Sequence, residues 1–368
     1  MRTTANGYLI QLDGLRFVAV GLVLGDHLMA DVNTIPFGPL GVTLFFVLSG
    51  FLITRILITS RDKTLGQPGG LGTYLRKFFI RRTLRIFPIY YITVFVLYLL
   101  DEPPVRDTIA WIVLYATNIY IAVNQSWMGT IDHFWSLAVE EQFYIFFPFV
   151  IFFIPRRWLI PLFITMVVSS VVLRAIFYRA GFDWMVNYVS TPTCLDSFGL
   201  GGLMAWMQLQ RKDFFVKLFR NPLWVWLGLA SWVLVVYWSK TFVEVHNVAN
   251  DVWERLFGSL FCFFLIGKAV VGFEGGMRWF LENPVSNYLG KISYGLYLYH
   301  NFVYNHYHTQ AGHPTLRLLH KIHQYIPALK GVVVFEVAYF FLLTVLVASL
   351  SWHLIEKPIN QLKDRYAR

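Results

Sequence analysis

Charge is scarce in this chain. Asp, Glu, Lys and Arg make up 14% of its 368 residues, while 57% are hydrophobic and 18% aromatic; soluble domains carry about a quarter charged residues. That composition excludes an ordinary soluble enzyme and leaves no stretch for a separate soluble domain of usual size, so 1–368 reads as one integral membrane domain. Cysteine is nearly absent. Cys194 and Cys262 lie in different apolar segments and form no CxxC or zinc-type spacing, which argues against a disulfide framework and against a metal site. Low-complexity sequence is missing apart from QPGGLG at 67–72, and so is the inverted internal repeat that many secondary transporters carry. The start, MRTTANGYLIQLDGLRF, lacks a short apolar core followed by a small-residue cleavage site, so the first apolar stretch is expected to be a retained span.

What is present is a series of apolar segments, near residues 9–30, 40–59, 79–100, 107–123, 133–154, 158–179, 193–210, 222–239, 253–272, 287–306 and 331–355. Basic residues orient them. The connection after the second segment holds Arg61, Lys63, Arg76, Lys77, Arg81, Arg82 and Arg85, whereas the one after the third is the acidic DEPP. The first belongs in the cytoplasm and the second outside. If every later segment crossed, Arg156 and Arg157 would land outside; if 107–123 is re-entrant or lies along the surface, the conflict disappears. Arg211, Lys212, Lys217, Arg220, Arg278, Lys357, Lys363, Arg365 and Arg368 then all become cytoplasmic. The expectation is an all-α membrane protein with about ten transmembrane helices, one non-spanning or re-entrant segment and both termini cytoplasmic. The loop 307–330, outside on this reading, carries Arg317, Lys321 and Lys330 and is a mild exception. The net charge of +10 follows from cytoplasmic loops and requires no nucleic acid.

Two segments combine apolar character with ionisable groups. DHFWSLAVEEQFYIFFPFVIFFI, from Asp132 to Ile154, is long enough to cross a bilayer yet holds His133, Glu140 and Glu141. A carboxylate at membrane depth costs several kcal/mol, so it faces a polar cavity, a partner charge or a proton pathway. At about 100° per residue His133, Leu137, Glu140 and Tyr144 share one helix face, with Ser136 beside it. The alternative is a structural polar seam between helices. The first segment, LDGLRFVAVGLVLGDH, sets Arg16 and His27 on one face, about 16 Å apart along the axis. Asp26 adjoins His27 in sequence but points about 100° away, so it is not automatically the partner of His27. A neutral imidazole takes a proton from an attacking hydroxyl, and a nearby carboxylate fixes its tautomer.

The run KFFIRRTLRIFP places Arg81, Arg82 and Arg85 at the cytoplasmic mouth of the third segment. Guanidinium pairs suit phosphate; topology signalling and attraction to anionic lipid heads explain the same charges. Ser49 and Gly50 interrupt a bulky run, as at close helix contacts, and Ser49 has no base adjacent in sequence. Asp196 lies just inside the seventh segment. Tyr294, Tyr297 and Tyr299 precede His300 and read as interfacial or packing residues, and His353 and Glu356 stand near a helix end.

Taken together, LDGLR with ten residues between Arg16 and His27, FFVLSGFLIT, the Arg82 and Arg85 pair, DHFWSLAVEEQFY, TPT followed by Asp196, SYGLYLYH and IEKP resemble the membrane-bound acyltransferases of acyltransferase family 3. The pieces run from residue 12 to 358, and DHFWSLAVEEQFY is the most specific. The resemblance implies transfer of an acyl group, most often acetyl, from cytoplasmic acetyl-CoA or another acyl-CoA to a hydroxyl of a glycan, or of a small molecule such as a macrolide. It implies ten core spans, a plasma membrane location (the bacterial inner membrane), and contact with membrane lipids. Carried over by position, His27 is the base, Arg16 its partner in the motif, Glu140 or Glu141 essential, and Arg82 and Arg85 the donor site, to which the adjoining Arg81 of the same basic run is added. His133, Trp135, Asp196 and Asp26 are the substrate-binding candidates. No metal is expected. Cys194 stands where such sequences commonly have a basic residue, which leaves Asp196 without that neighbour. Many members also carry a fused extracytoplasmic hydrolase-like domain, not seen in this sequence, so a partner is expected to complete acceptor delivery. A proton-coupled transporter uses buried His and Glu equally well and is the rival reading.

Overall fold

A computed structural model describes residues 9–30 and 33–362. Lys363, Arg365 and Arg368, assigned above to the cytoplasmic side, lie outside the described residues. The helices in chain order begin with α1 (Gln11–Leu28), α2 (Phe37–Thr64), α3 (Gly70–Leu99), α4 (Ile109–Val113), α5 (Thr117–Asn124) and α6 (Phe134–Phe153). They continue with α7 (Leu159–Arg179), α8 (Trp184–Val189), α9 (Leu195–Gln210), α10 (Lys212–Arg220), α11 (Leu223–Ser239) and α12 (Arg255–Val271). The last are α13 (Gly275–Glu282), α14 (Pro284–Lys291), α15 (Ser293–Val303), α16 (Pro314–Tyr325), α17 (Val333–Ser351) and α18 (Lys357–Gln361). Helix accounts for 80% of the structure, and no strand occurs among the described residues. In hydrocarbon a backbone must satisfy its own hydrogen bonds, which is why an apolar chain of this kind resolves into helices.

Five stretches are long and apolar enough to cross a membrane: Phe37–Thr64, Gly70–Leu99, Phe134–Phe153, Arg156–Arg179 and Val333–Gln361. Two bent pairs, Lys212–Arg220 with Leu223–Ser239 at 65° and Ala249–Val271 with Gly275–Glu282 at 87°, bring the number to seven. These seven match expected segments. The other three of the ten coincide with α1 of 18 residues, α9 of 16, and the broken pair α14 and α15 of 8 and 11. The segment expected not to span forms α4 and α5, of 5 and 8 residues, each far below the roughly 20 residues that a crossing needs.

α2 occupies the middle: 72% of its apolar window is buried inside the protein, against 33% for α3, 28% for α7 and 17% for α17. Exposed Phe95, Leu99, Phe146, Ile176, Leu234 and Leu342 give the periphery an apolar surface suited to lipid tails. Because lipid is as apolar as leucine, association in such a bundle depends on close packing and interhelical hydrogen bonds. α2 and α9 meet through glycine. A Cβ on Gly50 would come within 2.5 Å of the Phe198 carbonyl oxygen, and one on Gly201 within 2.3 Å of the Val47 carbonyl oxygen, so neither position accepts a side chain without separating the helices.

Arg61, expected among the cytoplasmic loop cations, is buried instead. Its Nη1 donates to the Ile151 and Ile154 carbonyls at 2.7 and 2.9 Å, capping the otherwise open C-terminal carbonyls of α6.

Candidate active site

Arg16, Glu140 and Glu141 line one cavity, and Asp26, His27 and His133 line another. The smaller, about 90 Å³, is bounded by Arg16, Ser49, Arg82, Arg85, Glu140 and Glu141 among others. The larger, about 670 Å³, is bounded by Asp26, His27, His133, Trp135, Arg255 and Asn301 among others. Val42 and Tyr297 line both and form the wall between them. The division follows from helix geometry. Glu140 stands seven positions after His133, about 10 Å of rise, and Ser136 and Leu137 occupy the interval, with the Tyr297 hydroxyl bonded to Ser136 Oγ and donating to the His133 carbonyl at 3.3 Å.

In the arginine cavity Glu140 Oε1 accepts from Ser49 Oγ at 2.6 Å, and the Tyr144 hydroxyl donates to Ser49 Oγ at 2.9 Å. Ser49, with no base beside it in sequence, therefore has a carboxylate beside it in space. Arg82 lies over the Tyr144 ring at 5.2 Å, and Arg82 and Arg85 line the same cavity as Glu140, where positive charge offsets part of the cost of a carboxylate at this depth. Arg16 is tied to Asp13 on its own helix. Arg81 is exposed and lines neither cavity; one residue from Arg82, it points to another side of α3.

His27 and His133 line the histidine cavity, and the buried His300 packs against both from behind. His27 Nδ1 is 2.9 Å from His300 Nε2 and 3.0 Å from Asn301 Oδ1. Asn301 Nδ2 donates to His133 Nδ1 at 2.9 Å, and His133 Nε2 donates to the Leu298 carbonyl at 3.0 Å. No carboxylate takes part in these contacts. Asp26 accepts from Asn33 at 2.7 Å, and Asp132 pairs with His308 at 2.8 Å. The Trp135 ring packs against Tyr188 at 4.8 Å, and Trp184 stacks on His246 at 4.2 Å, so the cavity has an aromatic side. A π-helical turn, Ala249–Glu254, brings Asn250, Asp251 and Glu254 to the same space.

Asp196 needs correction on two counts. It is fully buried and lines neither cavity, so it is no direct contact for an acceptor there. Nor does Cys194 leave it without a cation: Arg174 Nη2 donates to Asp196 Oδ2 at 2.7 Å, and Arg255 Nη1 lies 3.0 Å from Cys194 Sγ. Arginines distant in sequence supply the positive charge that the local motif lacks. Their signal was an arginine within an apolar segment, which is costly unless paired. Tyr294 and Tyr297, read as packing residues, line the arginine cavity, and His300 with Asn301 sits against His27. The adjacency of His300 and Asn301 to that tyrosine run was visible; their partner on α1 was not. Among the described residues no group of three His, Cys, Asp or Glu side chains is arranged to hold a metal ion.

Apolar helices around buried arginine, glutamate and histidine define a polytopic membrane protein with chemistry-bearing residues in its interior. The chain belongs to the acyltransferase family: the family model described as an acyltransferase domain, acyltransferase family 3, matches residues 9–356. The O-acetyltransferase OatA of Staphylococcus aureus strain NCTC 8325 is 31% identical over 383 residues, covering 96% of this chain and 57% of that protein. An S. aureus strain COL protein provisionally titled an O-acetyltransferase is 29% identical over 376 residues, covering 96% of this chain and 58% of the other. The chain thus spans less than three fifths of the length of the curated relatives it matches. No solved structure matches significantly.

Proposed function

We propose that this protein transfers an acetyl group from acetyl-CoA at the cytoplasmic side to a hydroxyl of a glycan held from the opposite side. The observation that carries the reading is the pair of cavities meeting at Tyr297, one rich in arginine and the other in histidine, in a chain of the acyltransferase family. Arg82 and Arg85 receive the phosphates of the donor. A space of about 90 Å³ is smaller than the roughly 150 Å³ that admits benzene in an apolar cavity, so it favours a short acyl arm while the nucleotide stays at the rim. The larger cavity, at about 670 Å³, falls in the range of small-molecule sites, roughly 300–1,000 Å³, and its tryptophans and carboxylates suit a hydroxyl-rich ring.

His27 acts as general base on the acceptor hydroxyl, which attacks the thioester carbonyl as coenzyme A leaves as the thiol. Tyr297 and Ser136 separate the two substrates until the acyl arm passes between the cavities. Glu140, held by Ser49, balances the arginines of the donor site, and Glu141 and Arg16 complete its lining. His133, Trp135 and Asp26 line the acceptor side. The same reading takes ten spans with both termini cytoplasmic in the bacterial inner membrane.

The test is free-thiol release from acetyl-CoA by purified protein with a panel of glycans and, separately, macrolides. Expected are acceptor-dependent thiol release, its loss in His27→Ala, and weakened acetyl-CoA binding in Arg82→Ala plus Arg85→Ala. Full turnover in folded His27→Ala removes the base from the mechanism; absence of acetyl-CoA binding alongside proton-dependent uptake of a solute replaces it with transport.

A further inference from the structure

The hydrogen-bond chain around His27 fixes which of its nitrogens carries the proton. Two backbone carbonyls anchor that chain. A carbonyl only accepts, so the ring nitrogen facing it must be an N–H. His300 Nδ1 lies 2.6 Å from the Tyr297 carbonyl oxygen; it is therefore the donor, and in the neutral ring His300 Nε2 holds a lone pair. That lone pair faces His27 Nδ1 at 2.9 Å. Two acceptors cannot share a hydrogen bond, so His27 Nδ1 is protonated.

The second anchor reaches the same answer independently. His133 Nε2 donates to the Leu298 carbonyl, which leaves His133 Nδ1 to accept from Asn301 Nδ2 at 2.9 Å. The amide of Asn301 is thereby oriented: its nitrogen faces His133, and its oxygen faces His27 Nδ1 at 3.0 Å. That oxygen also accepts from Asn305 Nδ2 at 3.0 Å, which agrees with the same orientation. His27 Nε2 makes no hydrogen bond among the described residues, and His27 lines the histidine cavity.

We propose that His300 and Asn301 are positioning residues for His27, holding it as the Nδ1–H tautomer so that Nε2 offers its lone pair to the acceptor hydroxyl. This rests on His27 being the base. In a serine-hydrolase triad the same task falls to a carboxylate on the imidazole. Here an imidazole and an amide perform it: Asp26 turns to Asn33 and Asp132 to His308. When Nε2 takes the hydroxyl proton, the new imidazolium keeps its Nδ1–H bonds to His300 Nε2 and Asn301 Oδ1, two neutral dipoles, and the proton then passes from Nε2 to the leaving thiolate. Neither His300 nor Asn301 touches the reacting atoms.

The experiment measures kcat and KM for acetyl-CoA, by thiol release, in His300→Ala, Asn301→Leu, the double variant, His300→Gln and the His27→Ala control. Each single removal should lower kcat about tenfold and the double about 10²-fold, within the range that general-base catalysis supplies, with KM for acetyl-CoA little changed. Glutamine places an amide oxygen near the position of Nε2, so His300→Gln should recover most of the loss. Wild-type kcat in the double variant with an inactive His27→Ala overturns the proposal and leaves the base assignment standing; an active His27→Ala overturns the base assignment itself. A second measurement needs no folded variant at position 300. In wild-type protein labelled with 15N at histidine, the signal that disappears in His27→Gln should be that of an Nδ1–H tautomer. An Nε2–H signal there refutes the proposal.

Discussion

Replacing Arg174 by methionine, of similar length but neutral, should destabilise the protein by about 4 kcal/mol. Arg174 and Asp196 are among the most deeply buried side chains, and the guanidinium satisfies three groups: the Val252 carbonyl at 3.0 Å, the Thr193 carbonyl at 2.6 Å and Asp196 Oδ2 at 2.7 Å. Breaking a buried pair from one side costs about 3–5 kcal/mol because it leaves an uncompensated charge. Each orphaned carbonyl adds about 1–3 kcal/mol where nothing replaces its donor, and local relaxation offsets part of the sum. At about 2 °C per kcal/mol for a chain of this size, the melting temperature falls by roughly 8 °C. Two cysteines make the assay direct. Cys194 and Cys262 are both unpaired and fully buried, so a thiol-reactive fluorophore reports unfolding of the detergent-solubilised protein. Adding Asp196→Asn to Arg174→Met removes the stranded charge and should recover about half of the loss. Melting of Arg174→Met within 2 °C of wild type, or a double variant no better than the single, would refute the reasoning.

Other outcomes follow from the same geometry. Ser49→Ala removes a donor to Glu140 without touching the arginines, and should lower thiol release several-fold with the fold intact by the thiol-dye melt. Arg82→Ala plus Arg85→Ala should raise KM for acetyl-CoA at least tenfold, whereas Arg81→Ala, on the exposed side of the same helix, should change it less than twofold. Gly201→Leu places a side chain where the Val47 backbone already lies and should abolish recovery of monodisperse protein, while Gly72→Ala, which meets nothing within 4 Å, should leave recovery unchanged.

Much of the candidate site was legible because membrane depth makes polar residues conspicuous. Arg16, His27, His133, Glu140 and Glu141 stand out against apolar neighbours, and helix periodicity correctly set Glu140 and Tyr144 on one face, where both line the arginine cavity. Pairings between distant segments were not legible. Ser49 meets Glu140 across 91 positions and His27 meets His300 across 273, and no local pattern encodes such partners. The reading of Asp196 failed for the same reason: its cation comes from α7, not from the TPT motif.

The sequence by itself determined that this is a helical membrane protein, which segments carry costly polar groups, and which family it resembles, because hydrophobicity and period act locally along the chain. Only the tertiary structure decided that these groups divide between two cavities around Tyr297, and that His300 and Asn301 of α15 meet His27. Cavity walls and hydrogen-bond partners arise from helices brought together by close packing, and their register is a property of the bundle rather than of any one segment.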